Sequence, residues 1–250
     1  MKTRKKLRTA TLMIGILLSF TACGQNSKIE EIPNQSLTEE KNIVSLQFKD
    51  YILNNNITEI VESKVVEIIE RYSVNDADYI IFINEDDKDN LHSGVLTNNK
   101  IYDFQTVSIL EQTNYSELFS LQEIDLFGKQ LVKIQGILGA NYSPSNYYYI
   151  EKQVPRLFLH SEGHTFEDDL DDDGIQDIVS VVSGGVTTDI DIYKYNDDKL
   201  SAANLNEALN AVTVLYNQDD KTFEVYFVDQ PNAPKYYELT KEGLKEAIKP

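Results

Sequence analysis

Apolar positions along the chain change their period three times. Thr9 to Ala22 is a largely apolar run without a charge. Ile57, Ile60, Val61, Val65, Ile68, Ile69 and Tyr72 then recur at three- and four-residue steps, with Glu59, Glu62, Lys64, Glu67 and Glu70 filling the other faces. That period predicts an amphipathic helix, which Asn56 can cap with Glu59 three residues on. Val44 to Tyr51 fits two periods at once: 44, 46 and 48 alternate as a strand would, while 44, 48, 51 and 52 make a helical stripe, the preferred reading. From Tyr79 the texture becomes short apolar runs at 79–83, 100–104, 121–127, 130–138, 146–151, 155–160, 177–182, 189–195, 211–216, 222–228 and 235–239. Asn98-Asn99, Asn196 to Lys199 and Asn217 to Asp220 separate some of these as hairpin turns.

Runs spaced by about ten residues with Asn, Asp and Gly at the joints are the mark of an antiparallel sheet or barrel. The expected class is therefore α+β but mostly antiparallel β: one compact β domain over 43–250, entered by the amphipathic helix and closed by a helix from Thr240 to Lys249. Fifteen tyrosines and ten phenylalanines supply core material for it.

Charge narrows the partners. Forty-one acidic residues face 23 basic ones, a net charge of -18, which opposes binding to phosphate backbones and removes nucleic acid as a partner. One cysteine rules out an intrachain disulfide framework and a four-thiolate zinc site. No glycine-rich phosphate loop occurs among the 11 glycines, so nucleotide chemistry has no cradle.

Lys2, Arg4, Lys5, Lys6 and Arg8 precede the first apolar run, whose 14 residues would span about 21 Å as a helix, short of a roughly 30 Å hydrocarbon layer. The pattern reads as an export signal over 1–22. Phe20-Thr21-Ala22-Cys23-Gly24 resembles the lipobox of bacterial lipoproteins, with Phe20 in place of the usual leucine. The resemblance implies a diacylated Cys23, bearing a palmitate-type chain, as the new N-terminus and a location on the extracytoplasmic face of the cell membrane; composition leans to a Gram-positive source. Residues 23–42, polar, charged and carrying Pro33, read as a flexible tether. Cleavage would remove five basic residues and no acidic one, leaving the body more acidic still.

The densest chemistry lies at 169–177. Asp169, Asp171, Asp173 and Asp177 occupy positions 1, 3, 5 and 9 of a loop with Gly174 at position 6, and the Ile175 carbonyl at position 7 adds an oxygen. Hard oxygens at these steps suit Ca²⁺, which takes roughly six to eight of them at about 2.3–2.6 Å. Position 12 is Ser180 rather than glutamate, and Ile178 to Val182 is a β run, so an EF-hand is excluded. The segment resembles the calcium loop of FG-GAP and VCBS-type repeats, with Asp172 where those repeats often carry glycine or asparagine. Such repeats close into propellers of several blades; one motif here implies a β domain stapled by one structural calcium rather than a complete propeller.

Other constellations are weaker. His160, Glu162 and His164 are close in sequence but share no helix that would converge them, and read as loop histidines; His92 reads as an ordinary strand-edge residue. Ser183-Gly184-Gly185 lacks the G-x-S-x-G pattern of a nucleophile turn. Tyr142, Tyr147, Tyr148 and Tyr149 divide between core and a stacking face for a glycan or an envelope protein. These features point to a non-catalytic binding or envelope-interaction module. The alternative is a surface-anchored hydrolase of wall polymers or glycans acting through carboxylates not identifiable from the sequence; a two-lobed solute-capture protein fits the strand-rich pattern least.

Overall fold

The computed structural model describes residues 43–110, 115–139 and 142–248. Lys41–Pro250 forms one compact unit. The expected signal, Cys23 and the tether lie outside the described residues.

An N-terminal segment carries three short strands, β1 (Ile43–Val44), β2 (Lys49–Asp50) and β3 (Thr58–Ile60). Four antiparallel meanders follow. The first is β4 (Val65–Val74), β5 (Ala77–Asn84), β6 (Asp87–Thr97) and β7 (Lys100–Ile109). The second is β8 (Phe119–Leu126), β9 (Lys129–Gly136), β10 (Ser145–Glu151) and β11 (Val154–Ser161). The third is β12 (His164–Asp168), β13 (Asp177–Ser183), β14 (Thr188–Asn196) and β15 (Lys199–Asn204). A five-residue helix, α1 (Leu205–Leu209), leads to the fourth: β16 (Thr213–Asn217), β17 (Thr222–Phe227), β18 (Gln230–Thr240) and β19 (Gly243–Ala247). β3 adds to β7, β2 to β15 and β1 to β19, so the N-terminal segment straps the first, third and fourth sheets. The described residues are mostly antiparallel β and close into neither barrel nor propeller.

Strand alternation sends side chains to both faces, and three buried clusters join the sheets in chain order. Tyr79, Ile81, Val95 and Phe104 of the first sheet meet Val132, Ile134 and Tyr148 of the second. Leu131, Tyr147 and Leu159 of the second meet Ile178, Tyr193 and Leu200 of the third. Val179, Ile190 and Ile192 of the third meet Val214, Phe223 and Val225 of the fourth. Neighbouring tyrosines of β10 thus enter different cores: Tyr148 stacks on Phe104 at 3.9 Å, while Tyr147 is fully buried on the opposite face. Tyr142 stays partly exposed.

All three expected helices are replaced by strands. Residues 57–72 form β3, one 3-10 turn at Glu62–Lys64, and β4. Register shifts at Val65/Glu67 and Ile68/Glu70 mark bulges, each of which adds a residue and turns two-residue steps into three. The segment's many β-branched residues then favour the extended chain that β5 pairs with. Around 44–51 the strap forms β1 and β2. At the C-terminus β19 pairs with β18, burying Leu244 and setting Lys245 against Glu238 at 2.8 Å and Glu246 against Lys235 at 3.0 Å. Gly243 is needed there: its φ is +133°, and a Cβ would meet the Val44 carbonyl at 2.5 Å.

Candidate metal centre

The acidic loop is the turn of the β12–β13 hairpin, closed by the pair Asp168↔Asp177. Leu170 is buried in the cluster between the third and fourth sheets and pins the loop inward. Asp169 accepts from the N–H groups of Asp173 and Gly174, each at 3.0 Å, and Asp173 accepts from the Ile175 N–H at 2.7 Å. Gly174 has φ +88° and Asp172 has φ 54°. That left-handed conformation, free for glycine and tolerated by asparagine and aspartate alike, explains why such residues suit position 4, and Asp172 fits it.

Carboxylate oxygens of Asp169, Asp171 and Asp173 lie within 4.8 Å of one another, so these three could hold a metal ion. They are the one such group among the described residues. Asp177 stands outside that triad but beside it, on the first residue of β13. Its side chain is 5% exposed and that of Asp171 is 6% exposed. One oxygen of each, Asp171 Oδ1 and Asp177 Oδ2, is buried with no hydrogen-bond partner. A buried carboxylate oxygen without a partner costs free energy, and a bound cation removes that cost. Ile175 is exposed, as a position that contributes only its backbone carbonyl can be.

Lys194, which the loop pattern does not contain, donates to Asp171 Oδ2 at 2.7 Å and lies 3.4 Å from Asp177 Oδ1. Burial pushes the Asp177 carboxyl up to about 6; Lys194 pulls it down, and the charge of Asp171 adds to the rise. Burial opposes the charge on Lys194, but Asp171 and Asp177 outweigh it and hold its pKa above the ordinary lysine value. From the fourth sheet, Tyr216 donates to Asp168 at 2.7 Å and Lys221 donates to the Asp169 carbonyl at 3.0 Å. An ion here would therefore tie a hairpin that two sheets already hold.

The three histidines do not gather. His160 meets Asn146 Oδ1 at 2.7 Å, and burial lowers its pKa. His164 contacts Gln135, and burial followed by the Lys133 charge lowers its pKa too. Glu162 is exposed in the turn between them. Ser183-Gly184-Gly185 opens the β13–β14 hairpin, where Gly184 N–H donates to the Thr187 carbonyl at 2.8 Å.

His92 is no edge residue: β6 lies between β5 and β7, and the imidazole is buried between two carboxylates. Nδ1 lies 2.9 Å from Asp103 Oδ2 and Nε2 lies 3.0 Å from Asp87 Oδ2. Asp103 also accepts from Asn84 at 2.9 Å and from the Gln105 N–H at 2.6 Å. Burial pulls the His92 pKa down, but Asp103 and Asp87 overcome it and the net shift is upward. A raised folded-state pKa means that the folded protein holds this proton more tightly than the unfolded chain does. The resulting stability is present in full below the unfolded value of about 6.5 and lost as pH rises through the folded value. Melting followed from pH 6 to 9 should show that decline, and His92→Gln should remove it.

A second concave region, a cavity of about 730 Å³, lies between the strap and the third sheet and is lined in part by Asp50, Asp191 and Glu207. Burial raises the Asp191 pKa, although Asn204 donates to this carboxylate at 2.9 Å. Nothing in the sequence marked these three carboxylates, which come from strand and helix positions far apart in the chain.

No protein-family model, no curated protein and no solved structure matches the chain.

Proposed function

We propose that this chain is a lipid-anchored module of the extracytoplasmic face of a bacterial membrane, whose β body is stapled by one calcium ion and serves to bind an envelope component rather than to catalyse a reaction. The observation that carries the calcium part is the loop's unmet demand for positive charge. Three carboxylates converge within 4.8 Å, and one buried oxygen of Asp171, within that group, and one of Asp177, beside it, have no partner. Oxygen donors alone, some from short acidic side chains and one from a backbone carbonyl, suit a hard divalent cation and give no soft ligand for copper or zinc. Such a cage favours a structural ion, since its donors surround the metal and leave little room for a substrate. The loop's links to Tyr216 and Lys221 support that reading, since an ion bound here would act where the third and fourth sheets meet.

The anchor part rests on the basic start, the apolar run and Cys23. One short acyl chain gives only reversible attachment, and two give a stable one. Replacing Cys23 by Ser should move the protein from the membrane fraction to the soluble fraction of producing cells; full retention would end the lipoprotein reading.

The hydrolase reading has one observation in its favour, the cavity lined by Asp50, Asp191 and Glu207. Turnover of wall glycans that Asp191→Asn abolishes would place it ahead of a binding module.

A further inference from the structure

Lys194 and the loop carboxylates form an arrangement that goes beyond a metal cage. Continuing the β13–β14 register one step past Ile178↔Tyr193 sets Lys194 opposite Asp177. Its ammonium engages one oxygen of Asp171, at 2.7 Å, and approaches one of Asp177, at 3.4 Å. The oxygens left over, Asp171 Oδ1 and Asp177 Oδ2, are the two buried ones without partners. The lysine side chain is itself only 15% exposed, and its Nζ lies 5.9 Å from the centre of the Phe48 ring, which the strap contributes between β1 and β2.

Two cations that share carboxylates oppose each other. Without metal, the ammonium offsets repulsion among carboxylates that burial would otherwise make costly. When a divalent ion binds, the same carboxylates are already partly neutralised, and a positive charge stands against their outer oxygens. The coupling is reciprocal: whatever stability the lysine adds to the empty loop beyond what it adds to the filled one is lost from the ion's affinity.

Resting on the calcium reading above, we infer that Lys194 is a built-in counter-ion that holds Asp171 and Asp177 when the loop is empty and, by sharing them, weakens the binding of divalent cations. The loop then belongs with weak calcium sites of extracellular modules, filled at about 10⁻⁴–10⁻³ M, and not with high-affinity sites. Its occupancy would follow the calcium around the cell, and the protein would stay folded when that calcium falls.

Calorimetric titration of the ectodomain with CaCl₂, for wild type and for Lys194→Met, tests this together with melting in EGTA and in excess calcium. The expected result is calcium binding at least about tenfold tighter in the variant. Its melting temperature should be lower than wild type in EGTA and recovered in calcium. Equal or weaker affinity in the variant overturns the counter-ion while leaving the metal site standing. Absence of binding to both proteins at millimolar calcium overturns the metal reading itself. If Lys194→Met folds only with calcium, the ion is replacing the ammonium, as inferred. If it does not fold even then, Lys194→Gln decides: tighter binding supports the inference and unchanged binding ends it.

Discussion

Calcium added to EGTA-treated ectodomain should raise its melting temperature by about 5–10 °C. The figure follows from linkage: a ligand at a hundredfold excess over its dissociation constant stabilises the folded state by about 2.7 kcal/mol. A domain of this size gains about 2–4 °C per kcal/mol. Asp171→Ala should abolish the response, because Asp171 belongs to the converging triad and supplies one of the two buried oxygens without a partner. Asp172→Asn, by contrast, should keep it, since Asp172 is exposed and belongs to no ligand position. Melting curves that coincide at every calcium concentration would remove the staple from the proposed function.

Gly136→Ala should lower stability by about 3 kcal/mol, at the upper end of ordinary overpacking, and the melting temperature by about 6–12 °C. An added Cβ would sit 1.7 Å from the Val107 carbonyl oxygen and 2.7 Å from its carbon, both of them backbone atoms of β7. A flexible side chain could turn away from such a contact; backbone at a bulge held by the flanking pairs Thr106↔His92 and Ser108↔Leu91 yields less readily. The close approach is part of the join between the first two sheets, where Ser108 bridges to Ile137 and donates to its carbonyl at 2.7 Å. The calcium response should survive this substitution, because the loop lies between the third and fourth sheets and distant sites act additively. A Gly136→Ala protein as stable as wild type would mean that the first two sheets do not pack in this way.

The eleven apolar runs from Tyr79 to Leu239 all coincide with strands, because alternation and turn chemistry act over a few residues and survive without tertiary context. Their turns carry the expected backbone: Asn98, Asn99, Asp197 and Asp198 all have positive φ. β6 escaped notice because its first half, Asp-Lys-Asp-Asn, is polar, and the burial of His92 makes sense only once Asp103 comes alongside on β7. The helix expected at 57–72 failed for a related reason: its apolar spacing was a strand interrupted twice by bulges, which mimics a helical period.

The metal centre divides in the same way. Four aspartates, a glycine and the β run after them could be read from the fourteen consecutive residues 169–182, since a tight loop brings together what is adjacent in the chain. Lys194, 23 residues from Asp171, and Tyr216, 48 residues from Asp168, could not. The sequence by itself determined a mostly antiparallel β body and an acidic loop, suited to a hard cation, that leads into a strand. Only the tertiary structure decided that four sheets pack in chain order, that an N-terminal strap crosses three of them, and that a lysine already stands against two of the candidate ligands. The physical reason is range: pattern and turn propensity are local energies, whereas the choice of which face meets which charge is made by packing between strands remote in the chain.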